Sequence, residues 1–143
     1  MRFTSPEEAA QLVRTWMAAQ NEDETRALDK NQKYLWWFSE GSANFYIHIF
    51  AYDKGNSQTD AIEVGSPVML LPESVSKKTA LLDYVMLLNS SAVGYWWAVR
   101  EERLMLLSSR ELSGLDQAEL ITMIENIRFY ADFFDDVLKS KFA

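Results

Sequence analysis

Three apolar runs, cut by short glycine-containing turns, fill the first half of the chain, and none of them alternates. Tyr34-Leu35-Trp36-Trp37-Phe38 ends at Ser39-Glu40-Gly41-Ser42, Phe45 to Tyr52 ends at Asp53-Lys54-Gly55-Asn56, and a third run extends from Ala61 to Leu71. Runs of this length between such turns read as consecutive strands of an antiparallel meander. A sheet with one wetted face should carry polar residues at every second position. Here Phe45, Ile47 and Ile49 fall on one side of the second strand and Tyr46, His48 and Phe50 on the other. Tyr95-Trp96-Trp97 repeats the pattern further on. Two arrangements satisfy it: helices on both faces of the sheet, or one face left for a partner, because large apolar patches mark interaction sites. Gly65-Ser66-Pro67 interrupts the third strand and predicts a bulge or an edge, since proline cannot donate to a ladder.

Helical segments frame the strands. Ser5-Pro6-Glu7-Glu8 reads as a helix start, with Ser5 at the N-cap, Pro6 in the first turn and Glu8 closing a capping box. Leu12, Val13, Trp16 and Met17 then share one face, which carries the helix to about Ala19. Asn21 to Gln32 is polar, lacks an apolar period and reads as a loop or a frayed continuation of the helix. A second helix is expected from Ser76 to Asn89, then a strand from Tyr95 to Arg100, a tight turn at Glu101-Glu102, and a strand starting at Arg103. Asp116 and Glu119 form another capping box. It opens a final helix in which Leu120, Ile124, Ile127, Ala131, Phe134 and Leu138 recur at four-three spacing. At 1.5 Å per residue that helix is about 35 Å long, enough to cross a whole sheet. The predicted order is α-β-β-β-α-β-β-α, an α+β fold with an antiparallel sheet packed by helices. The 143 residues fit one such domain, 1–143, with no repeat or composition shift to mark a second.

Composition removes several classes of function. There is no cysteine, so disulfide scaffolds, thiolate metal sites and cysteine nucleophiles are excluded. The formal charge of −7, with no Lys/Arg cluster to offset it, repels a phosphate backbone, so neither nucleic acid nor an anionic membrane is an expected partner. The first residues lack the apolar stretch of a signal peptide, and no run reaches the roughly 18 apolar residues of a membrane helix. A bacterial cytoplasmic location is the expectation. His48 is the only histidine, which leaves no His-based metal cage or Ser-His-acid triad within one chain. No phosphate loop, dinucleotide fingerprint or paired-carboxylate motif appears. A non-catalytic chain without cofactor or metal is expected, and a hydrolase working with carboxylates alone would need two close acids that no motif marks.

Five Trp, six Tyr and eight Phe make 13% of the chain, and their clustering carries the functional reading. The second helix is apolar nearly all round, through Leu81, Leu82, Tyr84, Val85, Met86, Leu87 and Leu88. Such a helix needs cover on more than one side. The sheet supplies one, and the first helix or a second subunit the other. Phe129 and Phe133 lie off the main stripe of the last helix, as anchors for a partner or packed on a loop, and Asp132, Asp135 and Asp136 make a solvated acidic end.

The second half also resembles a known family. Leu81-Leu82-Asp83-Tyr84 to Leu88-Asn89, the strand Tyr95-Trp96-Trp97-Ala98-Val99, Arg103-Leu104-Met105-Leu106, Ser108-Ser109-Arg110-Glu111-Leu112 and Leu115-Asp116 with Ala131-Asp132 in the long helix are similar to the YbjN family of bacterial proteins. These are described as sensory transduction regulators and share their fold with class I type III secretion chaperones. The first half agrees with the family in element order, and the doubled Trp pairs depart from it. The resemblance implies a small acidic homodimer that binds protein segments, with the second helix and the following strand at the dimer interface. Leu82, Val85, Met86, Tyr95 and Trp97 are the candidates there. For partner binding the candidates are Trp36, Trp37, Tyr46, Phe50, Trp96, Phe129 and Phe133. The expected role is a chaperone-like or regulatory protein-binding module. The alternative is a regulatory domain that binds a small molecule in an aromatic-lined pocket.

Overall fold

A computed structural model describes residues 4–41 and 43–143. Helix α1 (Pro6–Ala19) and a single turn, α2 (Glu24–Ala27), precede the meander β1 (Leu35–Glu40), β2 (Ala43–Lys54) and β3 (Ser57–Leu70). Helix α3 (Val75–Asn89), the hairpin β4 (Trp96–Arg100) and β5 (Arg103–Glu111), and helix α4 (Gln117–Phe142) complete the chain. The five strands form one antiparallel sheet in the order β1-β2-β3-β5-β4. Both capping boxes form as the sequence predicts: Ser5 Oγ accepts from the Glu8 N–H, and Asp116 Oδ1 from that of Glu119. The polar Asn21–Gln32 stretch holds α2, whose N-cap is Asp23. Polar residues Ser57 to Asp60 continue β3 beyond the apolar run, because the β2–β3 hairpin closes tightly at Gly55-Asn56.

The helices lie on one face of the sheet only. Trp36 and Phe38 of β1, Phe45, Ile47 and Ile49 of β2, Ile62 and Val64 of β3, Trp97 of β4, and Leu104 and Leu106 of β5 bury with α1, α3 and α4 in one core. Helix α4 holds it together, touching β2, β3, β5, α1 and α3. Leu120, Met123, Ile124, Ile127, Ala131, Phe134 and Leu138 are its buried stripe. Each large apolar side chain so buried contributes about 1.5–3 kcal/mol. The opposite strand positions form only a small cluster, Leu35, Tyr46, Met105 and Leu107. Of the two arrangements open to a doubly apolar sheet, this chain adopts the one with an uncovered face.

Strand β3 is the middle strand, not an edge. Pro67 is tolerated there because the β2–β3 register runs from Lys54↔Ser57 only to Tyr46↔Gly65, so Pro67 lies past its end with β5 as its paired neighbour. A register shift between Pro67 and Met69 is the expected bulge. Gly65 is required by close approach: a Cβ there would lie 2.5 Å from the Tyr46 hydroxyl.

The edge strand β4 is pinned by the last residue of α3. Asn89 donates from Nδ2 to the Trp97 carbonyl at 3.0 Å and accepts the Trp97 N–H on Oδ1 at 2.7 Å, so one side chain stands in for a neighbouring strand. Asn89→Ala should therefore lower the unfolding free energy in urea by about 1–3 kcal/mol, the cost of leaving such groups unpaired. Ser90→Ala, on the exposed next residue, should change it by less than about 0.5 kcal/mol.

Candidate functional site

The uncovered sheet face is built from the strand positions that point away from the helices. Both Trp pairs divide across the sheet, as period-two geometry requires. Trp36 is 0% exposed and donates from Nε1 to Glu24, whereas Trp37 is 43% exposed and lies with its ring 5.1 Å from that of Tyr46 on the open side. Trp97 is buried against Phe134 of α4, whereas Trp96 is an exposed aromatic across from Leu107.

Glu63 sits in the middle of this face. It is 4% exposed and is the one buried charged side chain among the described residues. Arg100, at the end of β4, reaches over the sheet and donates from Nη1 to Oε2 at 2.7 Å and from Nη2 to Oε1 at 3.0 Å. The Tyr46 hydroxyl donates to Oε2 at 2.7 Å, and the bare Gly65 backbone gives its ring room. A two-pronged guanidinium and a phenol satisfy a carboxylate whose burial without partners would be costly. Burial, reinforced by Glu63, pushes the Tyr46 phenol well above its ordinary value, so it stays a donor at any physiological pH. The hydrogen bond to Glu63 raises Arg100 further.

A trough of about 820 Å³ opens beside this pair, between Trp37 and Tyr46 on one side and Pro67, Met105 and Arg103 on the other. A second hollow of about 470 Å³, floored by Phe50, Tyr52 and Ala61, shares Glu63 and Arg100 with it. The arrangement is a recognition surface: aromatic and aliphatic walls around a neutralised charge. No group of three or more His, Asp or Glu among the described residues is placed to hold a metal ion. No helix among them is long and apolar enough to cross a membrane.

Two further apolar surfaces lie outside the core. On α3, Leu81 and Val85 face inward, Leu82 is half-buried, and Met86 is 67% exposed beside an equally exposed Leu87. On α4, Phe129 and Phe133 are exposed and stacked at 6.0 Å, next to the acidic Asp132 and Asp136. The site candidates therefore separate by strand parity and helix face. Trp36, Val85 and Trp97 belong to the chain's own core, because each points at the helical layer, and none offers surface to a partner. Tyr95 is half-buried, its ring stacked on Tyr130 at 4.0 Å. Trp37, Phe50 and Trp96 line the open face, with Tyr46 buried beside Trp37. Sequence reasoning missed Glu63, Arg100 and Arg103, which share one trough only through strand order and register, and Leu87 and Val93, which are exposed next to the expected interface.

Comparison with solved structures places the fold. One match is a chain of the ExsC–ExsE complex, with a TM-score of 0.63, 10% identity, and 96% of this chain covering 97% of that one. Another is a chain of the heterodimeric ExoU–SpcU complex from the type III secretion system of Pseudomonas aeruginosa, with a TM-score of 0.60, 12% identity, and 88% of this chain covering 97% of that one. The fold is that of the type III secretion chaperones. At this identity the likeness shows architecture alone. No protein-family model matches the chain, and no curated protein matches it in sequence.

His48 faces Glu63 across the β2–β3 ladder, with Nε2 3.1 Å from Gln32 Oε1. Burial lowers its pKa below the ordinary 6.5, with Glu63 and Asp29 opposing the shift and Arg100 reinforcing it. A base whose folded pKa is depressed contributes stability that is present above its unfolded value and lost as pH falls through the folded one. His48→Gln should therefore lose less of its melting temperature than the parent chain between pH 7.5 and pH 5.5. Equal losses in a pair of thermal melts would contradict the assignment.

Proposed function

We propose that this chain is a non-catalytic, chaperone-like protein-binding module of the bacterial cytoplasm, of the YbjN regulator type, that acts as a homodimer. The observation that carries the reading is the outer surface of α3 and β4. Met86, Leu87 and Val93 are exposed together with half-buried Leu82, although the chain has a complete core without them. Exposed apolar groups of this number in one region signal an interface. The shared architecture supports the same direction, since both similar structures are complexes of two different proteins.

In this reading the α3–β4 surface meets a second copy, and the client uses the remaining apolar surfaces. Trp37, with Tyr46 beside it, Phe50 and Trp96 belong to the open sheet face, one such surface, and Phe129 and Phe133 form the other. An extended client segment has a further seat at the outer edge of β1. Leu28 bridges to Trp36 and the Asp29 N–H donates to the Leu35 carbonyl, so that edge is occupied as far as Trp36. Beyond it a hollow of about 330 Å³ runs along Trp37, Phe38 and Ser39, where a strand could add to the ladder.

Light scattering at micromolar concentration should report twice the single-chain mass. Met86→Asp combined with Leu87→Asp should convert the sample to a monomer with an unchanged far-UV spectrum, because both side chains stand outside the core. A parent chain that is already monomeric, or a double variant that still dimerises, would count against the reading.

A further inference from the structure

Beyond protein binding, we infer that the open-face trough is a site for an amphipathic organic anion, with a carboxylate head on Arg100 and Arg103 and an apolar body laid along Trp37 and Met105. Three observations converge on it. First, Arg100 and Arg103 are directly paired across the β4–β5 ladder, so their side chains leave the same face of the sheet. Like charges in that position are unfavourable unless something neutralises them. Glu63 neutralises Arg100, while Arg103 makes no ion pair or side-chain hydrogen bond among the described residues.

Second, the turn that forces this opposition is itself unfavourable. Glu101 and Glu102 both adopt left-handed backbone conformations, φ 51° and 62°, in a two-residue turn that glycine or asparagine would fill at less cost. Backbone strain of this kind is retained where surrounding structure uses the geometry. Third, the trough beside the two guanidiniums has the volume of a small-molecule site, about 820 Å³ against a usual range of about 300–1,000 Å³.

The charges facing the trough set the sign of its ligand. His48 favours its neutral form, Glu63 is spent on Arg100, and Glu101, from the turn, lines the trough as Arg103 does. Where the ladder pairs them, Arg103 and the outward side of Arg100, which is half exposed, set two guanidiniums side by side. A carboxylate can bridge the two guanidiniums in the charge-assisted geometry that arginine favours. A cationic amphiphile of the same shape would meet two like charges there.

The test is isothermal titration of the purified chain with decanoate and decylammonium, which share one apolar body and differ in the sign of the head. Decanoate should bind saturably at one site per chain, and decylammonium at least about ten-fold more weakly. Arg103→Gln, at an exposed position, should weaken decanoate by about ten-fold, the worth of one charge-assisted hydrogen bond. Glu63→Gln should tighten it, since Arg100 is then released to the ligand. Should that buried substitution prevent folding, Arg103→Gln decides alone. Absence of decanoate binding, equal affinity for the two probes, or indifference to Arg103→Gln would overturn the inference. The α3 variant Met86→Asp with Leu87→Asp should bind decanoate like the parent, which separates this site from the dimer reading.

Discussion

The rest of the structure depends on the seating of α4 across one face of the sheet. Its buried stripe reaches three strands and two other helices, and with α1 and α3 it forms the only helical layer among the described residues. A sheet covered on one side has two unlike faces, yet the strands here carry apolar side chains toward both. That mismatch produces the open-face candidate site, while the surfaces of α3 and α4 add two more on the helical layer. The inner Trp of each pair, Trp36 and Trp97, completes the core, and the outer ones, Trp37 and Trp96, are left at the surface.

Within the open face the buried Glu63 is the other organising element. An unpaired carboxylate in that position would be far too costly, so Arg100 must cross the sheet and Tyr46 must lie flat over Gly65 to meet it. The pair fixes the walls of the trough and joins the edge strand β4 to the centre of the sheet. The α3 surface and the trough therefore share one scaffold: α3 ends in Asn89, which pins β4, and β4 ends in Arg100, which closes over Glu63.

Much of this architecture was legible from residue order. Ser5 with Glu8 and Asp116 with Glu119 announced two helices by local hydrogen-bonding chemistry, and the four-three stripe of the last helix named its buried residues. Period-two geometry also required that each Trp pair divide. Which member faced the helices was not legible, because both faces of the strands are apolar and hydrophobicity cannot set the parity. For the same reason Trp36 and Trp97 read as interface candidates and are core, and Val85 does so because a helix apolar all round does not show which side meets the sheet. Pro67 pointed toward an edge, and the deciding fact was the length of the neighbouring strand, a tertiary property. Arg100 and Glu63 are separated by many residues, and the pairing of β5 with both β3 and β4 sets them on one face of the sheet, where they meet. Helix α2 escaped notice because one turn capped by Asp23 has no periodicity to read.

These features describe a chain whose secretion-chaperone fold leaves more apolar surface outside than its own helices cover. The most direct test is fluorine NMR of the free chain with all five tryptophans replaced by 5-fluorotryptophan, reading the change of each resonance between H2O and D2O. The Trp37 resonance should shift with solvent, while those of Trp16, Trp36 and Trp97 should not. A Trp37 resonance as insensitive as that of Trp36 would mean that the second face of the sheet is sealed within the subunit, and the account would fail.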